Sequence, residues 1–408
     1  MKTFYVTMLA VLALVNVWAG SPKIDRAWDF TRQRLMSGFD GKRCKVQPCV
    51  TTDWKGNALL TYQTLLLTGA DVFYGQYVCK STDGGRTWSA PKEMALFKDE
   101  YTNGYRIVRY ANPRYSAKNR KWYALGKSGM YKGDKEPVNG RVNGKPSGLP
   151  LYATVDVDTG AYTSWKTIDF PFPYITAFPF GDPVDLDDGS LLIPFYYTVG
   201  HKFGGSAFDV MCQVVCVKYR FEGDGITLVE AGESIDCPEL KRGVCEPSLV
   251  KFGDRYYLTL RSNEKGLFAE SSDGLRFGAP KTWCWEDGEP IGNRNTQQHW
   301  LKIAGDLYLA YTRWNGMNQH VFRNRAPVYI AKFDPKRGCL VRGTELAVVP
   351  ELGARLGNFQ TAISETGESW LITAEWMQHP GCERYGSDNS LWFVKFFPSG
   401  PQADQSFQ

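Results

Sequence analysis

Apolar residues recur along this chain in short, often alternating runs. Clusters of Gly, Asp, Asn and Ser separate them, the pattern of strands joined by tight turns rather than of helices. The runs form a repeating unit. Its copies are QPCVTTDWKGNALLTYQ from Gln47, NPRYSAKNRKWYALGK from Asn112, DPVDLDDGSLLIPFYY from Asp182, EPSLVKFGDRYYLTLR from Glu246, QHWLKIAGDLYLAYTR from Gln298 and NFQTAISETGESWLITAE from Asn358. Each copy reads as a polar residue, a short strand, a tight turn such as Asp187-Asp188-Gly189, and a second strand rich in Leu, Tyr and Trp. A third strand follows every copy: YGQYVCKS, LYATVDVD, MCQVVCVKYR, GLFAESS, PVYIAKFD and NSLWFVKFF.

The copies start 52 to 70 residues apart. Repetition at that period with several strands per unit predicts an all-β, six-bladed β-propeller of four-stranded antiparallel blades. A small sandwich is the competing all-β fold, but six copies of one meander favour radial repetition. The last copy shows only three strands before the polar tail GPQADQSFQ. A segment within residues 24–46 is therefore expected to supply the missing outer strand and close the ring.

Composition adds a compartment. The opening MKTFYVTMLAVLALVNVWAG has one Lys, an apolar stretch, and Val17 and Ala19 spaced like a signal-peptidase site. Residues 1–19 are thus expected to be a signal peptide and residues 20–408 a single secreted or periplasmic propeller domain, with no membrane span in the mature form. The formal charge of +5 is too mild, and its basic residues too dispersed, to suggest nucleic acid. Ten cysteines in an exported chain suit disulfides, with Cys44/Cys49 and Cys237/Cys245 as near-neighbour candidates, although spacing does not decide pairing. No CxxC pair or Cys/His cluster appears, so no metal or other cofactor is expected, and the chain is expected to act as a monomer.

The repeat also predicts where chemistry would sit. In a propeller the first strands line the axis, so first-strand starts and second-strand ends face one space. The first ring is Gln47, Asn112, Asp182, Glu246, Gln298 and Asn358; the second is Gln63, Lys127, Tyr197, Arg261, Arg313 and Glu375. All are polar or phenolic beside strongly apolar neighbours. Polar strand ends also satisfy backbone groups, but twelve together suit an oxygen-rich ligand such as a sugar.

Two stretches carry a family resemblance. STDGGRTW at Ser81–Trp88 is similar to the Asp-box of sialidases and related propellers, and SSDGLRF from Ser271 is a shortened relative. EPSLVKFGDRYYLTLR resembles the sialidase segment in which a Glu opens a blade and an Arg closes its second strand. The resemblance implies that Glu246 tunes the nucleophile or acts as base and that Arg261 grips a carboxylate, where a bidentate guanidinium fits two oxygens. It implies that Arg325, with Arg313 and Arg323 as rivals, adds to that grip. Asp71, ten residues before the Asp-box, takes the general acid's place, or is an ordinary loop Asp.

Two departures stand out. The family's first arginine opens an Arg-Ile-Pro stretch, which here is Val46-Gln47-Pro48. Its nucleophilic tyrosine is replaced by Phe359, which has no oxygen to attack with. Tyr197 is a candidate substitute, and Glu375 completes the catalytic candidates; Lys127, Asp182, His299, Asn358 and Gln47 join the expected substrate-binding set. Three readings follow. One is a sialidase-like exo-glycoside hydrolase acting on an acidic sugar, with a glycan as its partner. Another is a polysaccharide lyase in which Tyr197 or His299 moves the proton. The last is a carbohydrate-binding propeller without catalysis.

Overall fold

The structure is a computed structural model that describes residues 27–67, 71–201, 210–293, 295–378 and 380–399. The expected signal peptide and the polar C-terminal tail lie outside the described residues. Six antiparallel sheets form the six blades of a propeller. Blade one runs through Arg43–Thr52, Ala58–Leu66, Phe73–Ser81 and Lys92–Glu93. Blade two has Tyr105–Ser116, Lys121–Lys132, Pro150–Asp156 and Ala161–Thr167. Blade three opens with Thr176–Pro179 and Val184–Asp185, which both pair with Leu191–His201, and continues through Val210–Glu222 and Gly225–Ala231. Blade four is Cys245–Phe252, Arg255–Arg261, Gly266–Ser271 and Lys281–Thr282. Blade five is His299–Ile303, Asp306–Tyr311, Val328–Asp334 and Cys339–Leu340.

Blade six begins with Gln360–Ile363, Ser369–Ala374 and Leu391–Pro398. Its outer strand is Trp28–Leu35, paired antiparallel from Trp28 opposite Pro398 to Leu35 opposite Leu391. This is the expected closure from the N-terminal side, and it joins the first and last described strands in one sheet.

The sheets are held by cores between blades. Six clusters of buried residues sit at the six blade boundaries, for example Trp370 and Phe393 of blade six against Val50 and Leu60 of blade one. Strands such as YVC and LLIPF are therefore apolar on both faces, because each face meets a neighbouring blade. Each fully buried large apolar side chain contributes about 1.5–3 kcal/mol.

The Asp-boxes tie these boundaries down. Asp83 Oδ1 accepts from the backbone N–H groups of Arg86 and Thr87, both at 3.0 Å, and Oδ2 accepts from the Thr87 hydroxyl at 2.6 Å. Ser81 Oγ accepts from Gly85 N–H at 2.9 Å. Trp88 leaves its own hairpin and stands edge-on to Phe393 of blade six at 5.6 Å. Gly85 is required at this spot: its φ is +78° and a Cβ would approach the Phe393 ring to 3.0 Å. Ser271 and Asp273 repeat the turn in blade four, and Phe277 packs at the boundary of blades three and four.

All ten cysteines are free thiols, so neither Cys44/Cys49 nor Cys237/Cys245 is a disulfide. Cys44 and Cys49 lie five residues apart on one extended strand, a span of roughly 15 Å that no disulfide bridges. Cys44 packs in a cluster with Cys382, Cys49 Sγ accepts from Arg114 Nη1 at 2.8 Å, and Cys245 shares a cluster with Cys212.

Candidate active site

The blades surround a cavity of about 550 Å3. Of the twelve ring positions, Gln47, Glu246, Asn358, Gln63, Lys127 and Arg261 line it. A backbone feature selects the three from the first ring. Gln47, Glu246 and Asn358 have φ of +50°, +49° and +64°, the left-handed region that non-glycine residues rarely occupy. In blades one and four this coincides with a break in strand register, between Val46 and Cys49 and between Cys245 and Ser248. Such a bulge re-aims a side chain, here towards the axis.

Glu246 Oε2 is ion-paired with Nη1 of Arg261, which is 5% exposed. Burial alone would raise the Glu246 carboxyl; the guanidiniums of Arg261, Arg242 and Arg325 outweigh it and hold the carboxyl below the usual range. Asn295 clamps two arginines at once. Its Oδ1 accepts from Arg261 Nη2 at 2.6 Å and its carbonyl accepts from Arg325 Nε at 3.1 Å. Arg325 is 3% exposed, and Asp71 also lines the cavity. Phe359 is fully buried in the core of blades five and six, against the His299 ring at 5.4 Å.

The other expected site residues point elsewhere. At blade three, side-chain alternation puts Tyr196 on the cavity and turns Tyr197 to the opposite side of the strand. The Tyr197 hydroxyl donates to Gln213 Oε1 at 2.6 Å, and its ring lies against Phe170 and Phe172. His299 is 1% exposed and hydrogen-bonded through Nε2 to Gln297 at 3.1 Å; burial lowers its pKa to about 3, which leaves it neutral. Asp182 pairs with Arg114 at 3.2 Å. Arg313 forms a two-pronged pair with Glu345 at 2.8 and 2.6 Å. Glu375 is 1% exposed and accepts from Arg34, Trp392 Nε1 and the backbone of Asp388 and Ser390. Each of these five is spent within the scaffold.

Sequence reasoning missed Arg242, Arg355, Asn295 and Tyr196. Arg355 is 6% exposed, lies over the Trp376 ring at 3.7 Å and lines the cavity with Arg242 and Arg323. Arg355 precedes the first strand of blade six and Arg242 precedes that of blade four, outside the repeat window, so only a search for basic residues just before each first strand would have found them. Among the described residues, no group of three or more His, Cys, Asp or Glu side chains is placed to hold a metal ion. None of their helices is long and apolar enough to cross a membrane.

The same architecture occurs in solved structures. Trypanosoma rangeli sialidase superposes with a TM-score of 0.55 at 13% identity, over 89% of this chain and 59% of that one. The likeness is one of fold. Phage phi92 endosialidase matches at a TM-score of 0.53 and 12% identity, over 93% of this chain and 71% of that one. A protein of unknown function from Dyadobacter fermentans DSM 18053 reaches 0.58 at 12% identity, over 91% and 99%. This chain thus spans about three fifths of the length of the Trypanosoma enzyme. No protein-family model matches the chain, and no curated protein does.

Proposed function

We propose that this protein is a secreted, sialidase-like glycoside hydrolase that removes an acidic sugar in the central cavity. One observation carries the reading: the Glu246–Arg261 ion pair faces the same cavity as Arg325, Arg355 and Asp71. Buried guanidiniums with few carboxylate partners recognise a sugar carboxylate by paired, charge-assisted hydrogen bonds. In this reading Arg261 and Arg325 hold the carboxylate. Asp71 gives its proton to the glycosidic oxygen as the bond from the anomeric carbon breaks, and Glu246 accepts a proton from the water that attacks that carbon. The lyase reading is the weaker one, because Tyr197 and His299, its proton movers, do not line the cavity.

The burial of Phe359 favours a second reading, sugar binding without turnover, since no phenol stands at that position. Incubation with sialylated glycans and with uronate polysaccharides separates the readings. Free acidic sugar supports hydrolysis, an unsaturated uronide absorbance supports a lyase, and binding with neither product supports the binder. Asp71→Asn is expected to lower kcat by about 100-fold or more. Arg261→Lys, which keeps the charge beside Glu246 but loses the fork, is expected to lower kcat/KM by about 100-fold. Wild-type turnover by a folded Arg261→Lys variant would remove Arg261 from the site.

A further inference from the structure

The cavity holds more positive charge than one carboxylate uses. Among the described residues six cationic side chains line it, Lys127, Arg242, Arg261, Arg323, Arg325 and Arg355, against the two carboxylates of Asp71 and Glu246. They fall on two sides of blade four. Arg325 and Arg355 come from blades five and six; each is more than nine-tenths buried, neither has a carboxylate within ion-pair distance among the described residues, and Arg355 Nε has no hydrogen-bond partner. On the other side, Lys127 lies within the second strand of blade two, Lys121–Lys132. Arg242 is pinned to blade three by its backbone: its carbonyl accepts from Cys212 N–H at 2.9 Å, and the Cys212 carbonyl accepts from Val244 N–H at 3.2 Å. Neither Lys127 nor Arg242 has a carboxylate within 4.0 Å among the described residues, and Arg242 Nε is buried without a partner.

We infer that the cavity takes an acidic glycan carrying two anionic groups, the first held by Arg261, Arg325 and Arg355 and the second by Arg242 and Lys127. This inference rests on the acidic-sugar reading above and extends it to a substrate class. The physical reason is desolvation. A buried cation without a counter-ion is costly, and a ligand anion removes that cost at Arg325 and Arg355; on the other side of the Glu246–Arg261 pair the half-buried Lys127 and Arg242 face the same cavity and offer a second cationic pair to an anion. Burial, and then the neighbouring guanidiniums of Arg261, Arg355 and Arg323, push the Arg325 pKa well down, so an anion beside it is favoured. The second anion is either the carboxylate of a neighbouring acidic sugar or a sulfate ester on the same sugar.

Titration calorimetry on the full chain decides between these. The probes are a monosialylated trisaccharide against its disialylated counterpart, and a uronate disaccharide against its sulfated form. In at least one pair, the dianion is expected to bind about tenfold tighter than the monoanion, which also identifies the source of the second charge. Arg242→Gln should weaken the dianion about tenfold more than the monoanion, whereas Arg355→Gln should weaken both. Lys127→Gln serves the same purpose if thermal melting shows Arg242→Gln unfolded. Equal affinities within about twofold in both pairs, or equal losses for both ligands in Arg242→Gln, overturn the inference. If the monoanion binds and is turned over with no gap, the hydrolase reading stands and this one falls; if no probe binds, both fall.

Discussion

At the scale of single residues, burial decides what a polar side chain is for. His299 follows Gln298 at a blade start, yet its ring sits between Phe180 and Phe359 and stays neutral because burial pushes its pKa from 6.5 to about 3. The unfolded chain therefore takes up this proton more readily than the folded one, so the contribution to stability is complete above pH 6.5 and is lost as pH falls towards 3. The predicted loss is about 2 kcal/mol between pH 6.5 and 5, read from urea midpoints across that range. In His299→Gln this part of the acid slope should vanish; an unchanged slope would mean another group carries it. Glu246 acts lower in pH: its depressed pKa adds stability above the ordinary carboxylate range, which is lost as pH falls through it. Residue types were legible in the sequence, but their fates were not. Glu246 opens one copy of the repeat and Glu375 closes another, and only the fold shows the first facing the cavity and the second consumed by Arg34 and Trp392.

At the scale of elements, the Asp-box turns are scaffold joints. Asp83 gathers the Ser81 hydroxyl, two backbone N–H groups and the Thr87 hydroxyl, and it thereby sets the direction in which Trp88 leaves the turn. Asp83→Ala is expected to lower unfolding stability by about 2 kcal/mol with kcat unchanged, because the turn lies away from the cavity lining. Denaturant titration beside a turnover assay checks both halves; a lost kcat in a stable variant would contradict the scaffold role. Strands and turns were readable from alternation and from Gly and Asp placement. The bulges at Gln47 and Glu246 were not, because a left-handed residue inside a strand leaves no mark in a hydrophobic pattern. They turn Gln47 and Glu246 towards the axis, where the flat repeat gives no such direction.

At the scale of the whole molecule, one short strand closes the ring. Trp28 is 5% exposed and donates through Nε1 to the Tyr308 hydroxyl of blade five at 3.0 Å, while Arg34 neutralises the buried Glu375. Trp28→Ala is expected to cost about 3–5 kcal/mol, measured by urea unfolding. Deletion through Met36 also leaves Glu375 without its cation and should abolish a single cooperative transition; an unaltered midpoint in the deletion would show that the ring closes without this strand. The sequence by itself determined the repeat, the blade count, the closing segment and the placing of Glu246 and Arg261 at the start and end of one copy, because each follows from residues close along the chain or from their periodic return. Only the tertiary structure decided which polar residues share the cavity and that Arg242 and Arg355 join them. Convergence on the axis depends on bulges, strand alternation and competing partners on other blades, and these interactions are made in space rather than along the chain.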